Sequence, residues 1–299
     1  MLDTPARSHH WYMTSLNDTG SNDTVDETRT ERTAETFQIP LEAAELYEAK
    51  FVPALFAEWS PRLAEIAAVK KGDAVLDVAC GTGVVARTVA DIVGSDGRVV
   101  GVDLNEAMLT VAARVRPDIE WRQGDVAQLP FADGEFDAVV CQMALMFFGD
   151  RTRAFAEMSR VVAPDGTVAV CVPASLDAQP AYGPFVEMVA RHAGPEAISL
   201  LSAYWTCGDL AALTAVIESA GLRVTGARTV AGVARFESPE ELVATEVEST
   251  PLVERISDQV YASIRAEARE VLQPYVTEAG TLDAPLVAHL VAARRPQAS

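Results

Sequence analysis

Lysine is nearly missing from this chain. Lys50, Lys70 and Lys71 are the only three in 299 residues, and 43 acidic against 24 basic side chains leave a formal charge of −19. No basic stripe is available to neutralise phosphates, so a nucleic-acid substrate is not expected. The same charge argues against attraction to anionic membrane surfaces. Long apolar runs are lacking too: Ala138 to Phe148, interrupted by Gln142, is the longest, well short of the ~20 residues that span a bilayer. Cysteines are few and far apart (Cys80, Cys141, Cys171, Cys207), without paired metal-ligand spacing, so neither a metal site nor a disulfide framework is expected. Cys80 and Cys141, next to strand ends, read as small packing residues rather than nucleophiles. The N-terminus lacks the charged region and apolar run of a secretory signal, which points to a reduced, cytoplasmic setting.

What is present suits an ordinary globular protein. With 49% hydrophobic residues, the chain can bury a sizeable core. Residues 1–38, rich in Thr, Asp, Glu, Ser and Asn, read as a disordered acidic tail, and His9 and His10 within it lack further ligands nearby. Residues 39–72 read as N-terminal lid helices: Tyr47, Phe51, Leu55 and Trp59 recur every four residues, and Pro53 is expected to break the helix in two. The remainder, 73–299, reads as one core with insertions at about 173–206 and 236–281.

Strands and helices alternate in that core. Ala74–Ala79 is an apolar strand running into Cys80, Gly81, Thr82 and Gly83. A helix over Val84–Val93 leads to a second strand, Arg98–Asp103, and Asn105 can cap the next helix. Strands follow at Ile119–Gln123, Phe136–Cys141 and Thr167–Val172, with an Asp150-capped helix before the last of these. Asp209 caps an amphipathic helix ended by Gly221, Leu222–Thr229 is strand six, and Ser238, Pro239 and Glu241 form a capping box. The pattern predicts an α/β fold with a doubly wound, mostly parallel, Rossmann-like sheet.

In such a sheet ligands bind at the carboxyl ends of the strands, where strand order reverses. Gly81 and Gly83 permit a tight turn and close approach of a ligand to main-chain N–H groups at a helix N-terminus, where a β-carbon would intrude. Asp103 closes strand two 20 residues after Gly83, where a carboxylate can hold two vicinal ribose hydroxyls. Asp125 can accept from an exocyclic amine, and Val126 offers a backbone N–H to a ring nitrogen. Together these positions specify an adenosine.

Val75–Gly83 (VLDVACGTG), Gly101–Leu109 (GVDLNEAML), Gly124–Phe131 (GDVAQLPF) and Phe136–Gln142 (FDAVVCQ) resemble the class I S-adenosylmethionine-dependent methyltransferases in order and spacing. That resemblance implies a seven-stranded sheet whose last strand, Ala284–Ala293, runs antiparallel. It also implies S-adenosylmethionine as cofactor, S-adenosylhomocysteine as product, and transfer of a methyl group to O, N or C of a small organic acceptor. By the same resemblance Gly81 and Gly83 cradle the methionine part, Asp103 holds the ribose, Leu104 and Met108 pack on adenine, and Asp125 with Val126 reads the adenine edge. Gln142 lies beside cofactor and acceptor, and Asp77 faces the cofactor's positive end. Ala79 stands where the family more often has glycine. Gly81–Ala86 also fits the G-x-G-x-x-A dinucleotide fingerprint, but Asp77 and Asp125 have no place in an NAD-dependent oxidoreductase. A cofactor-binding scaffold that shapes a ring closure or regulates a partner stays open as the alternative.

Specificity must come from outside the shared core. Tyr47, Phe51, Tyr182, His192, Tyr204 and Trp205 are the substrate-pocket candidates, suited to enclosing an apolar or aromatic acceptor. A hydroxyl or amine acceptor needs a base, and His192, with an ordinary imidazole pKa of about 6.5, is the candidate in the lid. His289, on the last strand, reads as a satisfied core histidine. Arsenic methylation lacks its cysteine cluster. Quinone-biosynthesis methyltransferases are a minor reading, because Arg160–Gly166 reads RVVAPDG where that family has a lysine and paired glycines.

Overall fold

The computed structural model describes residues 38–296; the expected tail, Gln38 apart, and the His9–His10 pair lie outside them. The chain enters through helix α1 (Leu41–Leu46), a π-helical stretch (Tyr47–Phe56) and α2 (Trp59–Ile66). It then alternates β1 (Ala74–Val78), α3 (Val84–Val93), β2 (Arg98–Asp103), α4 (Glu106–Val115), β3 (Glu120–Gln123), β4 (Phe136–Gln142), α5 (Arg151–Val161) and β5 (Val162–Pro173). Helices α6 (Tyr182–Ala193) and α7 (Glu196–Leu201) form the insertion before α8 (Leu210–Ser219) and β6 (Arg223–Phe236). Helices α9 (Pro239–Val243), α10 (Leu252–Arg255) and α11 (Asp258–Val271) fill the second insertion before β7 (Leu282–Arg294).

The seven strands lie in the order β3-β2-β1-β4-β5-β7-β6, with β7 antiparallel to both of its neighbours. The inner strands are buried almost end to end, β1 from Val75 onward and β4 at six of its seven positions, as expected where helices cover both faces of a parallel sheet. One face packs Val75, Ala138, Val140 and Ala169 against Leu63 of α2, Val85 and Val89 of α3, and Phe185 of α6. The other packs Leu76, Val100 and Val139 against Phe155 of α5 and Ile217 of α8. Side-chain caps set the helix starts where the sequence placed them: Asn105 accepts from the Ala107 and Met108 amides, Asp150 from Arg153, Asp209 from Ala211 and Ala212, and Ser238 from Glu241. Among the described residues no helix is long and apolar enough to cross a membrane.

Two expectations need correction. Pro53 does not break its helix; it sits inside the π-helical stretch Tyr47–Phe56. Proline disrupts an α-helix because its ring collides with the carbonyl four residues back, and the wider i→i+5 turn shifts that carbonyl away. Strand six does not stop at Thr229 but continues to Phe236, because β7 pairs with it along its whole length, from Arg223 opposite Arg294 to Phe236 opposite Leu282. The second insertion therefore springs from the far end of a long β-ribbon. β1 touches both β2 and β4, so the strand order reverses around β1, and a crevice belongs at its carboxyl end.

Candidate functional site

The crevice is built on a strained turn. After β1 the backbone is left-handed at Ala79 (φ +53°), Gly81 (+54°) and Gly83 (+86°), the last being the N-cap of α3. For alanine this conformation costs about 1–2 kcal/mol. A β-carbon on Gly83 would lie 2.2 Å from Cη2 of Trp121, and one on Gly101 of β2 would lie 2.4 Å from Cζ3 of the same ring. The Cβ side of Gly83 is thus filled by the Trp121 indole, whose Nε1 donates to the Arg116 carbonyl at 3.0 Å, so glycine here also makes room for a side chain of β3. At Gly81 a β-carbon would meet the Tyr47 ring at an ordinary 3.7 Å, so glycine there serves the backbone angle.

Two carboxylates flank the turn. Asp103 Oδ2 accepts from the Gly81 amide and Oδ1 from the Asn105 amide, both at 2.8 Å, which ties the glycine turn to the end of β2. Burial raises its pKa, against the pull of these amides. Asp77, 1% exposed, accepts from the Ala86 amide in the first turn of α3 at 2.9 Å. Burial pushes Asp77 up to about 8; the Asp103 charge adds to this, while the Ala86 amide and Arg87 oppose it. Asp77 lines a cavity of about 20 Å³ together with Ala79, Cys80, Val84 and Val85 from the turn and α3, Gln142 from β4, and Tyr47 and Phe56 from the covering π-helix. No cationic side chain is in that lining. The Thr82 hydroxyl, in the same turn, is buried without a hydrogen-bond partner. Burial raises the Cys80 thiol well above its ordinary range, which keeps it protonated.

The other expected cofactor positions stand at the ends of β2, β3 and β4. Asp125 is exposed, and its Oδ1 accepts from the Ala127 amide at 2.8 Å, starting the turn Val126–Gln128. The Leu104 carbonyl accepts from the side chains of Gln38 and Gln123, each at 3.0 Å, and Leu104 and Met108 are half-buried. Gln142 has both ends of its amide engaged by the covering helices: Nε2 donates to the Phe56 carbonyl at 3.0 Å, and Oε1 accepts from Ser60 at 3.4 Å.

The aromatic candidates cluster, and His192 does not join them. Tyr47 stacks on Phe51 and Phe56 at ring separations of 5.9 and 5.3 Å. Tyr182 packs on Trp205 at 5.1 Å, and Tyr204 meets Phe147 edge-on at 5.6 Å. Burial, then the nearby Tyr204, Asp103, Glu48 and Asp77, raise the Tyr47 phenol. His192 Nε2 instead pairs with Glu267 at 2.6 Å, joining α6 to α11. His289 satisfies both ring nitrogens, with Thr229 Oγ1 and the Gly208 carbonyl, each at 2.9 Å. Sequence reasoning passed over Phe56, Trp121 and Phe147 and took Thr82 only as part of the glycine turn. Phe56 lies off the four-residue repeat and joins Tyr47 only because the π-helix widens the turn; Trp121 and Phe147 carry no motif.

The family model described as a methyltransferase domain matches residues 76–170. Over 120 residues the chain is 40% identical to the chloroplastic 2-phytyl-1,4-beta-naphthoquinone methyltransferase of Arabidopsis thaliana, covering 38% of this chain and 46% of that one. Over 127 residues it is 39% identical to the demethylmenaquinone methyltransferase of Renibacterium salmoninarum, covering 42% and 51%. The chain thus matches about half the length of these curated relatives. Among solved structures, a protein of Bacillus halodurans aligns with TM-score 0.54 at 23% identity, covering 80% of this chain and 99% of that one. The YcgJ protein of Bacillus subtilis aligns with TM-score 0.53 at 20% identity, covering 81% and 99%. Likeness at that identity establishes the fold.

Proposed function

We infer from the methyltransferase domain at residues 76–170 that this chain is an S-adenosylmethionine-dependent methyltransferase acting on a small organic acceptor. The observation that carries the reading is the pair of buried carboxylates, Asp77 and Asp103, placed across one glycine turn with no cationic side chain in the adjoining cavity. An acid held near 8 by burial is a site for a positively charged ligand, which would relieve its cost of ionising.

The residues present suit that cofactor. Asp103, its oxygens already oriented by two amides, would take the ribose hydroxyls. Leu104 and Met108 would pack on adenine, and Asp125 with Val126 would read its edge. Gly81, Ala79 and the unpartnered Thr82 hydroxyl would border the methionine part, with Asp77 toward its cationic end and Gln142 between cofactor and acceptor. Bound there, S-adenosylmethionine would supply a methyl group made electrophilic by a positively charged sulfur, leaving S-adenosylhomocysteine. The protein's own contribution is alignment of two reactants, worth effective molarities of about 10⁵ M or more in well-oriented systems. A cavity of about 20 Å³ is far below the roughly 300 Å³ or more of ligand pockets, so binding would move Tyr47 and Phe56 aside.

A second reading, methylation of a quinone ring, is favoured by the names of the relatives quoted above. Their matches reach less than half of this chain, and RVVAPDG at Arg160–Gly166 departs from that family.

Calorimetric titration with S-adenosylmethionine, S-adenosylhomocysteine and NAD tests the inference, repeated with Asp103→Ala. The two adenosyl ligands are expected to bind, NAD is not, and the substitution should weaken binding at least tenfold, the scale of a lost hydrogen bond to a charged group. No binding of either adenosyl ligand would sink the reading. Binding without turnover across an acceptor panel that includes naphthohydroquinones would favour the scaffold alternative.

A further inference from the structure

Residues 41–56, helix α1 and the π-helical stretch, lie as a strap over the donor crevice: Tyr47 and Phe56 line the Asp77 cavity, and the Tyr47 ring packs toward Gly81 of the turn. A π-helix usually lasts a single turn, so a run of ten residues depends on what holds it from outside. Among the described residues three ion pairs fasten this strap: Glu45 with Arg114, Glu48 with Arg87 and Lys50 with Glu241. Arg114 and Lys50 are more than half exposed, and pairs of that kind contribute little. Glu48 and Arg87 are only 22% and 18% exposed. Their contact is two-pronged, with Nη2 donating to Oε1 at 2.9 Å and Nη1 to Oε2 at 3.5 Å. Nη1 also donates to the Thr82 carbonyl at 2.6 Å, so the guanidinium is anchored to the glycine turn independently of Glu48.

Opening the strap strands that guanidinium. The cavity of about 20 Å³ admits no cofactor while Tyr47 stays in place, and Glu48, the next residue, leaves with it. A partly buried cation stripped of its anion is costly. Two features of the turn favour a second carboxylate in its place. The Thr82 hydroxyl, on a residue 1% exposed, is a donor without a partner, and Gly83 gives α3 no side-chain cap, which leaves the positive end of that helix open to an anion. We propose that Glu48 stands in, on Arg87, for the carboxylate of an adenosyl amino acid, and that the two carboxylates exchange as the strap opens. The inference rests on the methyltransferase reading. In both states the guanidinium keeps one two-pronged carboxylate, so the ligand enters without leaving Arg87 unpaired, and Glu48 passes to solvent. An adenosine ligand that lacks a carboxylate opens the strap and leaves Arg87 without an anion, so the clasp favours the whole cofactor over its fragments.

The test is calorimetric titration of the full chain with S-adenosylhomocysteine and with methylthioadenosine, which keeps the nucleoside and the sulfur but has no amino-acid group. Wild type, Glu48→Gln and Arg87→Gln are compared, and near-ultraviolet circular dichroism checks the fold of each variant. Glu48→Gln weakens the closed state alone, so both ligands should bind more tightly by a similar factor, about three- to tenfold. Arg87→Gln removes the clasp and the ligand's partner together. Methylthioadenosine should then tighten as before while S-adenosylhomocysteine stays near its wild-type affinity, and the preference for the latter should fall about tenfold. A pair that only latches the strap would leave that preference unchanged in both variants, and a pair that only supports the fold would weaken both ligands; either result overturns the proposal. Methylthioadenosine binding to wild type as tightly as S-adenosylhomocysteine also overturns it and leaves the methyltransferase reading standing. If neither ligand binds any of the three proteins, that reading fails and the exchange falls with it.

Discussion

The two halves of the crevice are held by different means. On the donor side, Asp77 and Asp103 are positioned by backbone amides of Ala86, Gly81 and Asn105, so the geometry belongs to the strand ends and the turn. On the proposed acceptor side, Tyr47 and Phe56 come from the N-terminal π-helix and Tyr182 and Tyr204 from the first insertion, and they share one hydrophobic cluster through side-chain packing. Backbone-held geometry survives many changes of side chain, which suits a site that takes one ligand. Geometry held by side chains can be rebuilt by a few substitutions, which suits the end that must choose an acceptor.

Gly83→Ala would break the donor side most severely. Its methyl would fall 2.2 Å from the Trp121 ring in a backbone already at φ +86°. Overpacking and the left-handed penalty together predict a loss of about 3–4 kcal/mol, measured by denaturant unfolding. A loss below about 1 kcal/mol would mean that Trp121 moves freely, and that the turn is less rigid than the contrast requires.

The second effect is on pH dependence. Asp77 has its folded pKa raised to about 8, so the folded state holds a proton that the unfolded state has released above about 4. Its contribution to stability is therefore complete below about pH 4 and is lost as pH rises through about 8, at up to about 1.4 kcal/mol per unit. Glu246, raised to about 7, and Asp103, also raised, act in the same direction. Asp77→Asn, which keeps an acceptor for the Ala86 amide, should gain on the wild type by about 3–4 kcal/mol between pH 5 and pH 8. An unchanged pH profile would show that water reaches Asp77 and that the donor side is not closed.

The difference between the halves is also a difference in legibility. Parallel strands announce themselves as apolar runs, and caps such as Asn105 and Asp209 stand at fixed offsets from their helices, so β1 to β5 followed from local chemistry, whereas the antiparallel last strand followed from the family resemblance and the strand order needed the structure. The carboxylates and glycines of the donor side sit at strand ends, where spacing alone places them. Trp121 was invisible as a neighbour of Gly83 because the contact joins β3 to a turn 38 residues earlier. Phe56 was hidden by the π-helix, whose register no α-helical template counts. His192 shows the same limit: its place in an aromatic segment was legible, but its pairing with Glu267 of α11, some 75 residues on, was not.

A milder change sharpens the donor side. Ala79→Gly keeps the left-handed backbone at φ +53° without the Cβ penalty, and should stabilise the protein by about 1 kcal/mol, offset in part by the greater freedom of glycine when unfolded. Denaturant unfolding would read it. A loss of stability would mean that the alanine methyl packs usefully in the cavity wall, and that the departure at this position is a local adaptation rather than tolerated strain.

The smallest expected effect tests the candidate base in the lid. His192→Gln removes one arm of a pair whose side chains are 26% and 33% exposed, and such pairs contribute under about 1 kcal/mol; Arg191 still holds Glu267 afterwards. Stability should therefore change by less than about 0.5 kcal/mol, with binding and turnover unchanged at every pH. If instead turnover collapsed while cofactor affinity and folding held, His192 would be the base and the proton would leave through α6.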